Sequence, residues 1–427
     1  MKHVHKLPWG GALLLCLAGS VTPAHAQSVS ELYSGTVVTL SPAERDAVRN
    51  RPQEDYDPVG GRISSFFIYP WLEDLLLYND NIYATDRNRV SDLANVVNGG
   101  FNARSNFSRH ALSFRFAFEN FNYVDETSQD HFDAEGVAQW RLDLADGLEV
   151  TGSVLGRRDH LDPGAIDSPE DALEPVPYNQ LQARTTVKKR FNRVTGSVTG
   201  TIATISYENV KARNGGTVRQ DFRDGETYTL QTKWAYEFSP GYAAFAMLEG
   251  NIRDYDRHGY NRSSEGLMAL AGVEFDVTAL MHGELGFGYL TQDYDSAGVR
   301  DIDGWAMRAA LVYNPTTLIT LNAVAERRIG ETIQVGASGR LDTLFKISAD
   351  YELLRNFILS PYLGYIHSDY EGRGRKDGIF EAGLKADYLF NRNLSASLLY
   401  EFRDRDSNVG KYDFSRNYAG IGLKARF

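Results

Sequence analysis

The sequence has 427 residues, a net charge of −11 at neutral pH and a negative mean hydropathy. The acidic balance argues against nucleic acid as a partner, because binding to a phosphate backbone requires an excess of basic side chains. After the first 26 residues, no stretch has the roughly 18 consecutive apolar residues of a membrane helix; this excludes helical spans but leaves membrane barrels, whose apolar residues occupy every second position.

The first 26 residues have the features of a secretory signal peptide. Lys2 and Lys6 precede a short apolar stretch, and Ala24-His25-Ala26 supplies the small residues of a cleavage site. A buried N-terminal helix is the alternative. The single cysteine, Cys16, lies inside this segment, so the exported chain is predicted to rely on a large core, a closed sheet or a lipid solvent instead of disulfides.

Residues 27–60 differ in character from the rest of the chain and are predicted to lie on the periplasmic side. The run Ser41-Pro42-Ala43-Glu44 has the spacing of a capping box, which predicts a short helix that extends to about Asn50. Three interpretations stay open for this segment: a flexible tether, a small plug, or a docking site for a periplasmic partner.

Residues 61–427 show the alternation of β-strands. In the runs that begin at Leu112, Tyr228 and Phe380, one parity is apolar and carries no charge, while the other parity is polar. These runs have about ten residues or more, which suits a tilted membrane strand better than a soluble strand of about five or six. A soluble barrel of this width could not fill its interior with side chains, so the apolar face is predicted to meet lipid.

The alternating runs are arranged as repeated hairpins. Long polar loops, such as the stretches 162–177 and 211–225, alternate with short turns. The short turns are predicted near Ser108, Asp146, Asn192, Pro240, Thr278, Pro315, Arg355 and Arg392. With an opening strand near Ser65–Tyr83 and a closing strand at the C-terminus, the pattern predicts an all-β, up-and-down antiparallel transmembrane barrel of about 18 strands. The segment Leu93–Asn106, with Gly99 and Gly100, fits the pattern least well.

Aromatic residues mark the short-turn end of the predicted barrel. They lie at or just before the turns and form the girdle expected at a membrane interface: Phe191, Phe238, Phe275, Tyr313, Tyr351 and Phe390. Phe427 occupies the equivalent place on the last strand. It resembles the C-terminal signal by which bacterial outer-membrane barrels are recognised, which predicts the barrel-assembly machinery as a partner.

The run RPQEDYDPVGGRISSFFIYPWLEDLLLYNDNIYATD, Arg51–Asp86, resembles the opening segment of the putative β-barrel porin 2 family of Gram-negative bacteria. The shared elements are Arg-Pro, Tyr-Asp-Pro, Phe-x-x-x-Pro and Tyr-Asn-Asp-Asn-Ile-Tyr. The resemblance implies an outer-membrane barrel, and members of the family are often linked to export of exopolysaccharide or capsule. The charged pair Glu73-Asp74 departs from the pattern and leaves the register of the opening strand undecided.

The polar parity supplies the residues predicted to line the lumen. They are Arg115, Glu119, Lys233, Glu237, Glu249, Arg253, Glu274, Glu284, Lys346, Asp350, Lys385, Asp387, Glu401 and Arg403. Opposite charges on neighbouring strands stabilise their pairing, so a purely structural role is one interpretation. The other is a polar lumen that conducts hydrophilic solutes or a sugar chain and mildly disfavours anions. The two interpretations are compatible.

No catalytic, cofactor or metal site is predicted. The loop from Asp254 to Glu265 nearly matches a calcium pattern, but His258 replaces the third ligand and strands flank the loop. The remaining histidines, His110, His131, His160, His282 and His367, are scattered, and no nucleophile or phosphate-loop motif is present. Barrel hydrolases assemble their sites from distant strands, so an enzyme stays open as a minor alternative.

The predicted function is passage across the bacterial outer membrane, in a channel that serves exopolysaccharide or capsule export. The expected partners are outer-membrane lipid and periplasmic components of polysaccharide export, in addition to the assembly machinery. A general diffusion porin for small solutes is the close alternative. A structural or adhesive barrel and an outer-membrane hydrolase are alternatives from other classes.

Overall fold

The computed structural model describes residues 41–255, 262–277 and 279–427. The predicted signal peptide, residues 1–26, lies outside the described residues. In the described ranges, none of the helices has both the length and the apolar character needed to cross a membrane.

One short α-helix precedes a chain of β-strands. The helix is α1 (Pro42–Asp46). The strands are β1 (Gly61–Ile63), β2 (Phe66–Asn79), β3 (Asp92–Ser105), β4 (Ala111–Tyr123), β5 (His131–Asp143), β6 (Leu148–Leu161), β7 (Val176–Phe191), β8 (Val194–Tyr207), β9 (Val210–Lys211), β10 (Thr217–Val218), β11 (Gly225–Ser239), β12 (Tyr242–Tyr255), β13 (Ser264–Val277), β14 (Met281–Tyr294), β15 (Ile302–Thr316), β16 (Ile319–Gly330), β17 (Arg340–Leu354), β18 (Phe357–Tyr370), β19 (Arg375–Leu389), β20 (Leu394–Ser407) and β21 (Phe414–Arg426).

Eighteen of these strands close into one antiparallel barrel, which confirms the predicted architecture and strand number. Each of β2–β8 and β11–β21 pairs with its neighbours in chain order, and β21 pairs with β2 to close the sheet. The short strand β1 pairs with residues 66–68 of β2, on the edge that β21 occupies further along the same strand. Strands β9 and β10 form a small separate sheet in the loop after β8.

The two faces of the barrel wall differ in polarity. Along β11, Leu230 and Trp234 are exposed on one face, while Lys233 is largely enclosed on the other. Contacts between residues on opposite sides of the barrel, described below, identify the second face as the interior. The exposed apolar side chains therefore point outward, where lipid removes them from water.

Short turns join the strands at one end of the barrel. Asp146 and Asn192 take positive φ values of 55° in two of these turns, and Gly241 takes 85° in a third. Six of the eight predicted turn residues lie between the expected strands. The turn predicted near Pro315 lies at residues 317–318, after β15 ends at Thr316, and β13 and β14 flank the eighth, whose Thr278 lies outside the described residues. The aromatic side chains Phe191 and Phe427 are exposed at this end, as expected for an interfacial girdle.

The segment that fits the alternation least well is a regular strand, β3. A Cβ atom at Gly99 would lie 2.6 Å from the ring of Phe118, and one at Gly100 would lie 2.1 Å from the carbonyl oxygen of Phe116. The two glycines therefore allow the close approach of β4 and its phenylalanine rings. Because glycine has no side chain, these positions interrupt the apolar alternation of β3.

The structure also settles the register of Glu73 and Asp74 in β2. Glu73 is buried on the inner face, where it accepts a hydrogen bond of 3.1 Å from the Ser397 hydroxyl. Asp74 points outward and accepts a hydrogen bond of 2.6 Å from the Asn95 side chain.

Candidate functional site

The fourteen residues predicted to line the lumen all lie on the inner face of their strands. Each has the parity opposite to the exposed apolar side chains of the same strand. They are Arg115, Glu119, Lys233, Glu237, Glu249, Arg253, Glu274, Glu284, Lys346, Asp350, Lys385, Asp387, Glu401 and Arg403. The inner wall is therefore polar and carries both signs of charge.

Many of these residues form ion pairs along the wall. Lys233 contacts both Glu274 and Glu284, the latter at 2.5 Å. Arg403 lies 3.4 Å from Glu381 on the neighbouring strand. The structural interpretation of these charges, as cross-strand pairs that stabilise the wall, therefore applies to a substantial part of the set.

Aromatic side chains lie among the charges on the inner face. The Tyr362 hydroxyl donates a hydrogen bond of 2.6 Å to Glu401. The ammonium group of Lys346 lies 4.6 Å from the centre of the same ring. Arg115, on the wall of β4, is exposed to the interior. The wall thus combines hydrogen-bond donors and acceptors with aromatic rings.

The chain before the barrel folds into the short-turn mouth of the lumen. We call residues 41–57 the N-terminal segment. Its residue Arg49 donates hydrogen bonds to Asp350 at 2.7 Å, to Asp387 at 2.8 Å and to Ser360 at 2.5 Å. These partners belong to β17, β18 and β19, so one guanidinium group joins three adjacent strands from the inside. Burial alone would lower the pKa of Arg49, but the two carboxylates outweigh burial and raise it.

Further contacts hold the N-terminal segment against the wall. The backbone N–H of Val48 donates to the Thr320 hydroxyl at 2.9 Å, and the Asn314 amide donates to the carbonyl of Ala43 at 2.7 Å. Arg51 forms an ion pair with the buried Glu352. The segment is therefore bound by polar contacts, several of which use its own backbone.

The helix in this segment is shorter than the predicted one. Ser41 and Glu44 form the predicted capping box, with reciprocal hydrogen bonds of 3.2 and 2.7 Å. At Ala47 the backbone leaves the helical region, with φ −57° and ψ 144°. Contacts of the following residues with the barrel wall replace the last predicted helical turn. Burial raises the pKa of Glu44.

A second part of the chain enters the lumen from the long-loop end. We call residues 162–175, which join β6 to β7, the inserted loop. Ile166 is buried in a cluster with Leu344, Ile366 and Ile379, which belong to β17, β18 and β19. Those strands lie across the barrel from β6, so the loop crosses the interior.

Charged and backbone contacts add to the anchoring of the inserted loop. Asp167 pairs with Arg340 at the start of β17 and accepts a hydrogen bond of 2.8 Å from Thr332. Arg416 donates to the carbonyl of Pro163 at 3.2 Å, and Lys411 contacts Glu170 at 2.8 Å. The loop is thus attached at several points along its length.

Sequence reasoning left a small plug open as one interpretation of residues 27–60, but it did not anticipate the insertion of residues 162–175 into the lumen. The stretch 162–177 was interpreted as one of the outer polar loops, although Ala165-Ile166 is an apolar pair within an acidic run. Arg49 carries no local signal, because its three partners are about 300 residues away in the chain. The calcium-like pattern around His258 cannot be placed, since residues 256–261 lie outside the described residues.

Comparisons with known proteins agree with this architecture. A family model described as putative beta-barrel porin 2 matches residues 53–427. No curated protein matches the chain in sequence.

Among solved structures, OccK1 of Pseudomonas aeruginosa is similar, with 11% identity, a TM-score of 0.43, and coverage of 86% of this chain and 100% of that one. OccAB2 of Acinetobacter baumannii has 12% identity, a TM-score of 0.44, and coverage of 86% and 99%. Pseudomonas aeruginosa OccK2, in complex with glucuronate, has 10% identity, a TM-score of 0.45, and coverage of 86% and 100%.

Proposed function

We propose, from the premise that this chain belongs to the putative beta-barrel porin 2 family, that the channel it forms serves polysaccharide export. Membership of the family makes the protein an outer-membrane β-barrel of the porin class. The family points to a channel for solutes rather than to an enzyme. The finer proposal concerns what the channel carries. We assign it exopolysaccharide or capsule as the transported class.

The observation that carries this proposal is the composition of the inner wall. Paired acids and bases offer hydrogen-bond donors and acceptors to sugar hydroxyls, and aromatic rings among them add apolar surface to the wall. Tyr362 combines both features, because its hydroxyl contacts Glu401 and its ring faces Lys346. A sugar chain would slide along such a wall by exchanging one set of weak contacts for the next.

The N-terminal segment adds a second argument. It occupies the periplasmic mouth, where an exported polymer enters, and it is held there by side-chain contacts centred on Arg49. A periplasmic export component is the partner that we assign to this mouth. Its binding would draw the segment away from the wall and would open the path. Outer-membrane lipid on the outer face and the barrel-assembly machinery at Phe427 complete the proposed partners.

General diffusion of small solutes is the second candidate function. The observation that favours it is the narrowing of the lumen at two levels, by the N-terminal segment and by the inserted loop. With both in place, less of the lumen is free for a polymer than in an empty barrel. Under this alternative the two insertions are permanent parts of the channel wall.

Two measurements separate the candidates. Liposomes that contain the purified barrel are tested for swelling in sugars of graded size, and a deletion strain is tested for secreted polysaccharide and for small-solute uptake. The export proposal expects loss of polysaccharide with unchanged uptake. Rapid swelling in small sugars, together with normal polysaccharide in the deletion strain, would establish the diffusion porin instead.

A matched pair of variants tests the role of the wall. Tyr362→Leu removes an inner ring of β18, while Tyr365→Leu removes an exposed outer ring of the same strand. We expect secreted polysaccharide to fall with Tyr362→Leu and to stay unchanged with Tyr365→Leu, at equal amounts of folded barrel in the membrane. Equal behaviour of the two variants would contradict the proposal.

A further inference from the structure

Two histidines that are 29 positions apart in the sequence meet at the long-loop end of the barrel. His131 begins β5 and His160 lies near the end of β6; their ring centres are 3.8 Å apart. One ligand atom each from His131, Asp133 and His160 lie within 4.8 Å of one another. Asp162, the first residue of the inserted loop, also contacts this cluster.

Each histidine is oriented by an oxygen on one of its ring nitrogens. Nδ1 of His131 lies 2.8 Å from the carbonyl oxygen of Gln129 and donates its proton to it. Nε2 of His160 lies 2.9 Å from Asp162, and Nδ1 lies 2.9 Å from Asp133. Histidines that bind metal ions almost always donate the other N–H to a carbonyl or a carboxylate in this way.

These contacts leave one of the four ring nitrogens, Nε2 of His131, without a hydrogen bond among the described residues. This nitrogen is buried. Because Nδ1 carries the proton, Nε2 presents a lone pair to the cluster. An unsatisfied buried acceptor destabilises a fold unless some other group uses it.

The charge of the cluster also favours a cation. Both nitrogens of His160 face carboxylates, so both carry protons and the ring is positive. Asp133, Asp159 and Asp162 all lie within 4 Å of this ring, and Arg157 lies 3.9 Å from Asp159. Three carboxylates are therefore gathered around one imidazole ring, an arrangement that attracts a cation.

We propose that His131 Nε2, Asp133 and His160 Nδ1 bind a divalent transition-metal ion of the zinc class. Imidazole nitrogens with a carboxylate oxygen are ligands that such ions prefer, and an open fourth position suits water. Ligand atoms around a tetrahedral zinc ion lie about 3.5 Å apart, so the side chains move by about 1 Å to close on the ion.

Proton release balances the binding step. The ion takes the place of the proton between His160 Nδ1 and Asp133, and that proton passes to the solvent. His160 keeps the proton on Nε2 and donates it to the Asp162 carboxylate, which orients the ring. Since Asp162 begins the inserted loop, the ion ties the base of that loop to β5 and β6. This site is independent of what the channel carries.

The test is titration of the full-length barrel in detergent, after treatment with a chelator, with Zn²⁺ alone. We expect one saturable site and release of about one proton, measured by calorimetry in two buffers of different ionisation enthalpy. Mg²⁺ and Ca²⁺ are expected not to compete, because hard cations prefer sets of oxygen ligands.

Three variants assign the binding to these residues. His131→Phe keeps a ring against Phe121, which lies 4.5 Å away, and is expected to abolish binding. Asp162→Asn weakens the orienting contact and is expected to lower the affinity about 10- to 100-fold. His367→Phe, on another part of the barrel, is expected to leave binding unchanged. The absence of a saturable site in the parent protein, or equal loss with His131→Phe and His367→Phe when both fold, would overturn the proposal.

Discussion

The two insertions into the lumen are held in different ways. The N-terminal segment is held mainly by polar groups: Arg49 joins three strands, Arg51 pairs with Glu352, and two backbone groups form hydrogen bonds with the wall, while its buried apolar side chains are the small Ala43, Ala47 and Val48. The inserted loop combines an apolar anchor, Ile166, with charged contacts spread along its length. Within the described residues, the segment is joined to the barrel at one end, whereas the loop is joined at both.

This difference indicates which insertion is able to move. Polar contacts exchange readily for contacts with water, so a segment held by them leaves its site at modest cost. Removal of Ile166 from its cluster would expose apolar surface, which adds a hydrophobic penalty to the loss of the ion pairs. We therefore expect the N-terminal segment to be the movable element and the inserted loop to be a fixed part of the channel.

The largest effect is expected from deletion of residues 41–57. The deletion clears the short-turn mouth, leaves Asp350 without Arg49 and leaves Asp387 with Lys385, 3.3 Å away, as its cationic partner. Single-channel conductance in planar bilayers should rise several-fold, because the segment no longer occupies the mouth of the lumen. Unchanged conductance in a folded deletion variant would show that the segment does not restrict the path.

The next largest effect is expected from Arg49→Ala, which keeps the segment and removes its main contact. The loss of three charge-assisted hydrogen bonds should weaken docking by about 3 kcal/mol, or about a hundredfold in the docking equilibrium. The channel should then switch between low and high conductance. Arg45→Ala is the matched control, because Arg45 is exposed in the same segment, and it should behave as the parent does.

A smaller effect is expected from Asp167→Ala in the inserted loop. Arg340 keeps its contact with Asp342 at 2.8 Å, and Ile166 keeps its apolar cluster, so the loop should stay in place. Thermal unfolding should report a loss of about 1 kcal/mol, with the conductance within error of the parent value. A large rise in conductance would mean that the loop, too, depends on one contact.

The smallest effect is expected from Glu44→Gln. Burial raises the pKa of Glu44 above 4.5, so the docked segment binds a proton more tightly than the free segment does. This contribution to docking is complete below pH 4.5 and is lost as the pH rises through the raised pKa. The glutamine variant should dock slightly more tightly at neutral pH and lack this pH dependence, as measured by open probability. An open probability that depends on pH in the same way in parent and variant would assign the effect to other groups.

Much of the wall followed from the sequence. Alternation in runs such as Tyr228–Phe238 depends on the twofold repeat of a strand, so it showed which side chains face outward and which face inward. Turn residues and aromatic girdles then located the hairpins, and their number matched the 18 strands of the barrel. Local patterns suffice here because each strand pairs with its neighbour in the chain.

The contacts inside the lumen became known only from the tertiary structure. The contacts of Arg49, the burial of Ile166 and the meeting of His131 with His160 join residues that no periodic pattern relates. Sequence by itself determined the barrel, because membrane and backbone hydrogen bonding impose a repeat on every strand. The contents of the lumen depend on the closed sheet, because closure places distant strands around one interior and lets a single side chain contact several of them.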